Sequence, residues 1–197
     1  MAASRDAPRT RRALLDAAAR AVLAHGATVS LEIVAREAGV SKGGLLHHFP
    51  SKDALFTGLV DDLIEQFAAA VDAQLDPDDD RPGRVTRAYV RAVFADLELA
   101  DNVEITRDHT TLMAALGRLP SVLARAEEDG RRWRAALAAD GLHPQRSMLI
   151  TRAADGTATA SLFEGHLDPG ELAETRDVLL ALTHETGPLV PDGHRRG

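Results

Sequence analysis

Small, polar and basic side chains gather in one short stretch of this 197-residue chain. Ser41, Lys42, Gly43 and Gly44 come first, His47 and His48 follow, and Lys52 stands just beyond Pro50, with Ser30 upstream. Such residues suit recognition of a polyanion rather than bond-making. Lysine brings charge, serine a hydroxyl, glycine a close backbone approach, and imidazole a donor to a phosphate oxygen or a donor or acceptor to a base edge. Other chemistries find no residue set. Gly43-Gly44 has neither phosphate-loop nor dinucleotide spacing, and no G-x-S-x-G occurs. The chain has no cysteine, hence no disulfide framework and no thiolate metal site. His47 and His48 are adjacent, so on a helix they point about 100° apart and share a metal poorly. The acidic run Asp76–Gly83, DPDDDRPG, lacks the Ca²⁺-loop spacing and reads as a solvated loop. No catalytic residue, metal or cofactor is expected.

The stretch that positions these side chains runs from Leu31 to Leu55. Ser30 can cap a short helix whose Leu31, Val34, Ala35 and Ala38 share one face. Gly39 can take the left-handed conformation that ends it. Ser41 caps a second helix from Lys42 to about Phe49, and Pro50 stops it because the residue before proline leaves the α region. Ser51 opens a third. Val40, Leu45 and Phe49 would face inward. Two helices joined by a short glycine turn have helix-turn-helix spacing, in which the second helix reads the major groove. By spacing alone, an ordinary helical hairpin fits as well.

Composition agrees with an all-helical protein. Hydrophobic residues make up 45% and aromatic residues 4%, with long alanine-rich runs. No apolar run is long enough to cross a membrane, and MAASRDAPRTRR lacks the apolar segment of a secretory signal, so a cytoplasmic protein is expected. The net charge of −7 speaks against a polyanion partner until it is divided. Residues 1–52 carry +4 and the remainder −11. Local patches, not totals, govern such binding. A basic flexible tail is the plainer alternative, since Arg5, Arg9, Arg11 and Arg12 supply half of the positive charge.

In order, residues 1 to about 9 read as disordered and Thr10 to about Ala24 as a helix with Leu14, Ala17, Ala18, Ala21 and Val22 inward. After the helix-turn-helix, Ser51 to about Leu75 is a long helix with an apolar stripe over five turns. The chain divides into a DNA-binding domain over residues 1–52 and a second helical domain over 53–197. Further helices are expected from Arg84 to about Leu99, Val103 to Leu116, Pro120 to Gly141, Pro144 to Phe163 and Pro169 to about Thr183. Tyr89, Phe94, His109, Met113, Trp133 and Met148 are bulky residues interrupted by few polar groups, the lining of a small-molecule site, although each taken singly also suits a core. Ala153, Gly156 and Ala160 form a small-residue stripe and, with Leu172, Leu179 and Leu180, would form an interface between two copies. Glu127-Glu128-Asp129 reads as a solvated helix face.

The run Val34–Ser41 (VAREAGVS), with Gly43, Leu45, His48, Phe49, Ser51, Lys52 and Leu55, resembles the tetracycline-repressor-like (TetR) family of bacterial transcriptional regulators. The resemblance is dense over about Thr10–Leu63 and loose beyond. It implies an N-terminal three-helix DNA-binding domain joined by a long helix to a C-terminal helical ligand-binding and dimerisation domain. It further implies a homodimer on a pseudo-palindromic double-stranded operator, a four-helix interface from the last two helices, and a small-molecule effector that changes the separation of the DNA-binding heads. Ser30, Ser41, Lys42, Gly43, Gly44, Leu46, His47, His48 and Lys52 are the expected DNA contacts. The family usually has Tyr, a DNA-backbone contact, where this chain has Leu46, which cannot make that hydrogen bond. A small helical enzyme or ligand carrier with an incidental helix-turn-helix is the alternative from another class, and a dimerising scaffold a third.

Overall fold

The computed structural model describes residues 3–98, 103–160, 162–164 and 168–190, and of 3–6, 96, 98 and 103–106 the backbone alone. Among the described residues all regular structure is helical: α1 (Ala3–His25), α2 (Leu31–Glu37), α3 (Lys42–His48), α4 (Lys52–Ala73), α5 (Arg84–Glu98), α6 (Val103–Leu116), α7 (Pro120–Ala138), α8 (Pro144–Ala160) and α9 (Pro169–Ala181). The expected all-helical order holds, with ends within a few residues except at the start. There α1 begins at Ala3 rather than Thr10, which corrects the expectation of a disordered leader over residues 3–9. Alanine and arginine favour helix, and Pro8 removes only one carbonyl's partner in the outermost turns. Residues 1–2 and Leu99 lie outside the described residues.

The chain forms two compact units. The first extends to Glu65 and includes Thr111–Glu128; the second comprises Gln66–Thr110 and the chain from Asp129 onward. The expected boundary at Lys52 therefore falls inside the first unit. In that unit, Leu14, Ala17, Ala18 and Ala21 of α1 are fully buried, as their spacing requires, with Val34 of α2, Leu45 of α3 and Leu55 and Val60 of α4. Leu112, Leu116 and Val122 join the same core. Phe49, just after α3, is buried against α4, where a Cβ on Gly58 would come within 2.8 Å of its ring.

In the second unit, α5 is central. Ala88, Tyr89, Val90, Ala92, Val93, Phe94 and Leu97 are all buried, against Ile150 and Ala154 of α8 and Leu172 and Leu179 of α9. Its start is held by a residue far along the chain: the Asp140 carboxylate accepts from the backbone N–H groups of Val85 and Thr86, each at 2.8 Å. Among the described residues two arginines are buried, and every guanidinium nitrogen of each finds an acceptor. Arg87 donates to Asp79 at 2.7 Å, to the carbonyls of Pro82 and Arg81, and to Thr183 Oγ1. Arg146 donates to the carbonyls of Gly187 and Leu182 and to Glu185. The loop Asp76–Gly83, expected to be solvated, thus contributes one buried carboxylate, Asp79.

Two outcomes test this packing. Gly58→Ala should destabilise the chain by about 1–3 kcal/mol, because Phe49 fills the space a methyl would need; chemical denaturation measures it. Arg87→Met should lower the unfolding midpoint far more than Arg81→Met, since Arg81 is exposed and Arg87 leaves the Asp79 carboxylate buried without its inner partner. Arg81 first, and then Arg87, hold the Asp79 carboxyl below the usual carboxylate range, against the opposing effect of burial. A lowered folded pKa contributes stability that is complete above the ordinary unfolded value and is lost as pH falls through the folded one. Asp79→Asn should therefore flatten the loss of stability below about pH 4.

Candidate nucleic-acid interface

The helix-turn-helix is built by three serine caps. Ser30 Oγ accepts from the Ile33 N–H at 3.4 Å, Ser41 Oγ from Gly44 at 3.0 Å, and Ser51 Oγ from Ala54 at 3.0 Å. Each satisfies a backbone donor that a helix start leaves unpaired. Gly39, at φ +70°, makes the turn between α2 and α3. Val34, Ala35, Leu45 and Phe49 anchor the unit inward, with Val40 half-buried beside them.

What remains outside is mostly polar. Ser30, Ser41, Lys42, Gly43 and His47 are exposed, and Gly44, Leu46, His48 and Lys52 are half-buried. Leu46 packs its side chain partly against the core of the unit, as an aliphatic residue at that position must. The rings of His47 and His48 meet edge-on with centroids 5.6 Å apart, one outward and one partly inward. Lys52 Nζ lies 5.3 Å from the Phe56 ring centroid. Two partners escaped the sequence reading. Lys42 Nζ is 2.5 Å from Glu32 Oε1 across the turn, which also lowers the Glu32 carboxyl below its usual range. Arg11 of α1 stacks its guanidinium 4.8 Å from the Phe49 ring centroid. Neither pair has a signature in spacing, because each joins separate helices. Among the described residues no group of three or more His, Asp or Glu could hold a metal ion, and no helix is long and apolar enough to cross a membrane.

The residues singled out for ligand and partner binding separate. Tyr89, Phe94 and Trp133 share the second unit's core, and His109 is half-buried on α6 in the same unit. Met113 does not join them. It packs with Leu112 and Leu116 on the core of the first unit, because the apolar stripe at the end of α6 belongs there. Met148 is 61% exposed and lines no interior. Leu172 and Leu179, expected to face a second copy, are buried in their own chain, and Leu180 and Ala153 are half-buried on that same core. Gly156 is exposed with open space beside it, and Ala160 is half-buried. The bulky apolar residues left on the surface of α8 and α9 are Met148, Leu149 and Val178.

Residues 14–59 match the bacterial regulatory proteins of the tetR family, and residues 83–184 match the tetracyclin repressor-like C-terminal domain. A transcriptional regulator from Rhodococcus sp. Rha1 has the same fold, with a TM-score of 0.70 at 24% identity over 94% of this chain and 99% of its own. The multidrug binding protein EbrR, complexed with malachite green, superposes with a TM-score of 0.70 at 27% identity, over 88% of this chain and 97% of its own. A member of the TetR family from Streptomyces coelicolor A3 gives 0.65 at 26% identity, over 88% and 98%. No curated protein matches the chain. With both parts of the family's sequence pattern present on this helical fold, the chain belongs to the tetR family of bacterial regulatory proteins and is a helix-turn-helix regulator of transcription.

Proposed function

We propose that the chain is a ligand-responsive repressor that binds a pseudo-palindromic operator as a homodimer in the cytoplasm. In this reading α3 enters the major groove, the outward residues of Lys42 to His48 face base edges, and Ser30, Ser41 and Lys52 meet the backbone. One observation carries it. Gly43 has an ordinary backbone angle and no atom closer than 3.9 Å to where a Cβ would stand, so the fold does not require glycine there. A bare backbone on an exposed face beside Ser41, Lys42 and His47 suits a surface that must come close to a duplex. Glu32 then has a part in the interface. It neutralises Lys42 in the free protein and places a negative charge on the face turned toward phosphate.

Selection of operators from a random DNA pool, followed by titration in rising salt, tests this. Glu32→Gln should tighten binding to all sequences alike and steepen the salt dependence by up to about one. Lys52→Ala should weaken binding uniformly and flatten the slope by about one. His47→Ala should change the preferred base at one position in each half-site, at about 1–3 kcal/mol. A chain that selects no sequence removes the pseudo-palindromic operator from this reading, and an unchanged operator preference in His47→Ala removes the base-reading role.

For the dimer, the exposed Met148, Leu149 and Val178 with the small Gly156 offer α8 and α9 to a second copy. Val178→Arg and Gly156→Arg should convert a micromolar dimer into monomers in light scattering, with helical content retained because neither position is buried in its own chain. Dimers surviving both substitutions place the interface elsewhere. EbrR binds malachite green; for this chain we propose a small-molecule effector held in the second unit. To weaken operator binding tenfold it must prefer the DNA-incompetent state by about 1.4 kcal/mol.

A further inference from the structure

We propose that Phe67, Tyr89 and Trp133, together with Asp155, form a binding site for a flat, delocalised organic cation. The inference rests on the reading that the second unit holds an effector, and it assigns that effector's chemical class.

The chain has one tryptophan and one tyrosine, and both stand in this cluster. Four helices contribute one residue each: Phe67 from α4, Tyr89 from α5, Trp133 from α7 and Asp155 from α8. The three ring centroids lie 5.1, 5.3 and 5.7 Å apart, with interplanar angles of 82°, 79° and 64°. Edge-to-face contact directs the positive edge of one ring at the negative face of the next, and the faces left over attract cations. The Phe67–Trp133 contact is the longest and the least perpendicular of the three. Both of these rings are half-buried, so part of each still reaches solvent. The Arg132 guanidinium already lies 5.7 Å from the Trp133 ring centroid, which places a planar cation beside the indole in the free protein.

The polar groups around the rings select the sign of charge. The Tyr89 hydroxyl donates to Asp155 Oδ1 at 2.6 Å. Asp155 is half-buried and makes no ion pair among the described residues; Arg152, one turn earlier, acts on it only at longer range. Burial raises its carboxyl above the usual range, the mark of a carboxylate short of counter-charge. Asp129, paired with Arg132, adds a second negative field that reaches Tyr89. An anion would meet both carboxylates, and a neutral molecule would leave Asp155 uncompensated. A small ammonium ion would have to shed strongly held water for little ring contact, whereas a delocalised aromatic cation sheds less and covers more ring surface. The Trp133 indole N–H is buried without a hydrogen-bond partner among the described residues, so no polar contact of its own holds that ring in place.

Because Trp133 is the sole tryptophan, its emission reports on the site itself. The full-length chain is titrated with malachite green, a triaryl cation, and with leucomalachite green, its uncharged reduced form, by fluorescence and by calorimetry. The cation should quench Trp133 saturably at one per chain and bind at least tenfold more tightly than the leuco form. Asp155→Asn should cost the cation about tenfold and leave the leuco form unchanged, with an unfolding midpoint near wild type. Absence of saturable binding, equal affinity for the two forms, or full cation affinity in Asp155→Asn overturns the assignment. Operator binding measured in parallel keeps the readings apart. Cation binding that leaves operator affinity unchanged upholds the site and removes its coupling to DNA; intact operator binding without cation binding upholds the regulator and removes the site.

Discussion

The seating of Phe49 against α4 is the constraint on which the DNA-facing end depends. Phe49 follows α3 directly, is buried, and lies where a side chain on Gly58 would stand, under the guanidinium of Arg11. One aromatic ring therefore ties α1, the end of α3 and the first turns of α4 to each other. A helix of seven residues cannot hold its own conformation in water, because nucleation costs more than so few hydrogen bonds return. The short α3 persists through its Ser41 cap at one end and the Leu45 and Phe49 anchors at the other. Fixing its two ends also fixes which side chains face outward: Lys42, Gly43 and His47 do so because Leu45 and Phe49 do not.

The second unit meets the same requirement differently. α5 is apolar around most of its circumference, so it is buried, yet it begins with Arg84 and Arg87. Burying a guanidinium is costly unless its nitrogens find acceptors. Arg87 finds them in Asp79, in two loop carbonyls and in Thr183; Arg146 does the same with the residues after α9. These contacts give otherwise irregular segments a fixed course, which apolar packing without direction would not. Among the aromatic residues, the Tyr89 hydroxyl takes the same role with one carboxylate partner, Asp155, which makes no ion pair among the described residues.

Charge is divided to match. The surplus of positive charge lies in the first 52 residues, and the rest is acidic. An acidic body limits non-specific adhesion to nucleic acid, while the basic end supplies the local attraction. Glu32 refines this at the level of one side chain. An exposed ion pair adds little to stability, but on the proposed DNA-facing surface it would set how much of the Lys42 charge is available.

The sequence by itself determined the helices, their order and the helix-turn-helix. Caps, breakers and 3.6-residue periodicity are local, and Ser30, Gly39, Ser41, Pro50 and Ser51 act within a few residues of where they stand. It also determined which faces are apolar: Leu14, Ala17, Ala18, Ala21 and Val22 are buried as their spacing requires. Only the tertiary structure decided what each apolar face meets. Periodicity marks a stripe as buried without saying in which core, so Leu172 and Leu179 could not be told from an interface, nor Met113 from a neighbour of Tyr89. The pairs at the two proposed sites, Lys42 with Glu32 and Tyr89 with Asp155, join residues on separate helices. Their partnership is set by how helices pack, which is long-range information that no local pattern carries.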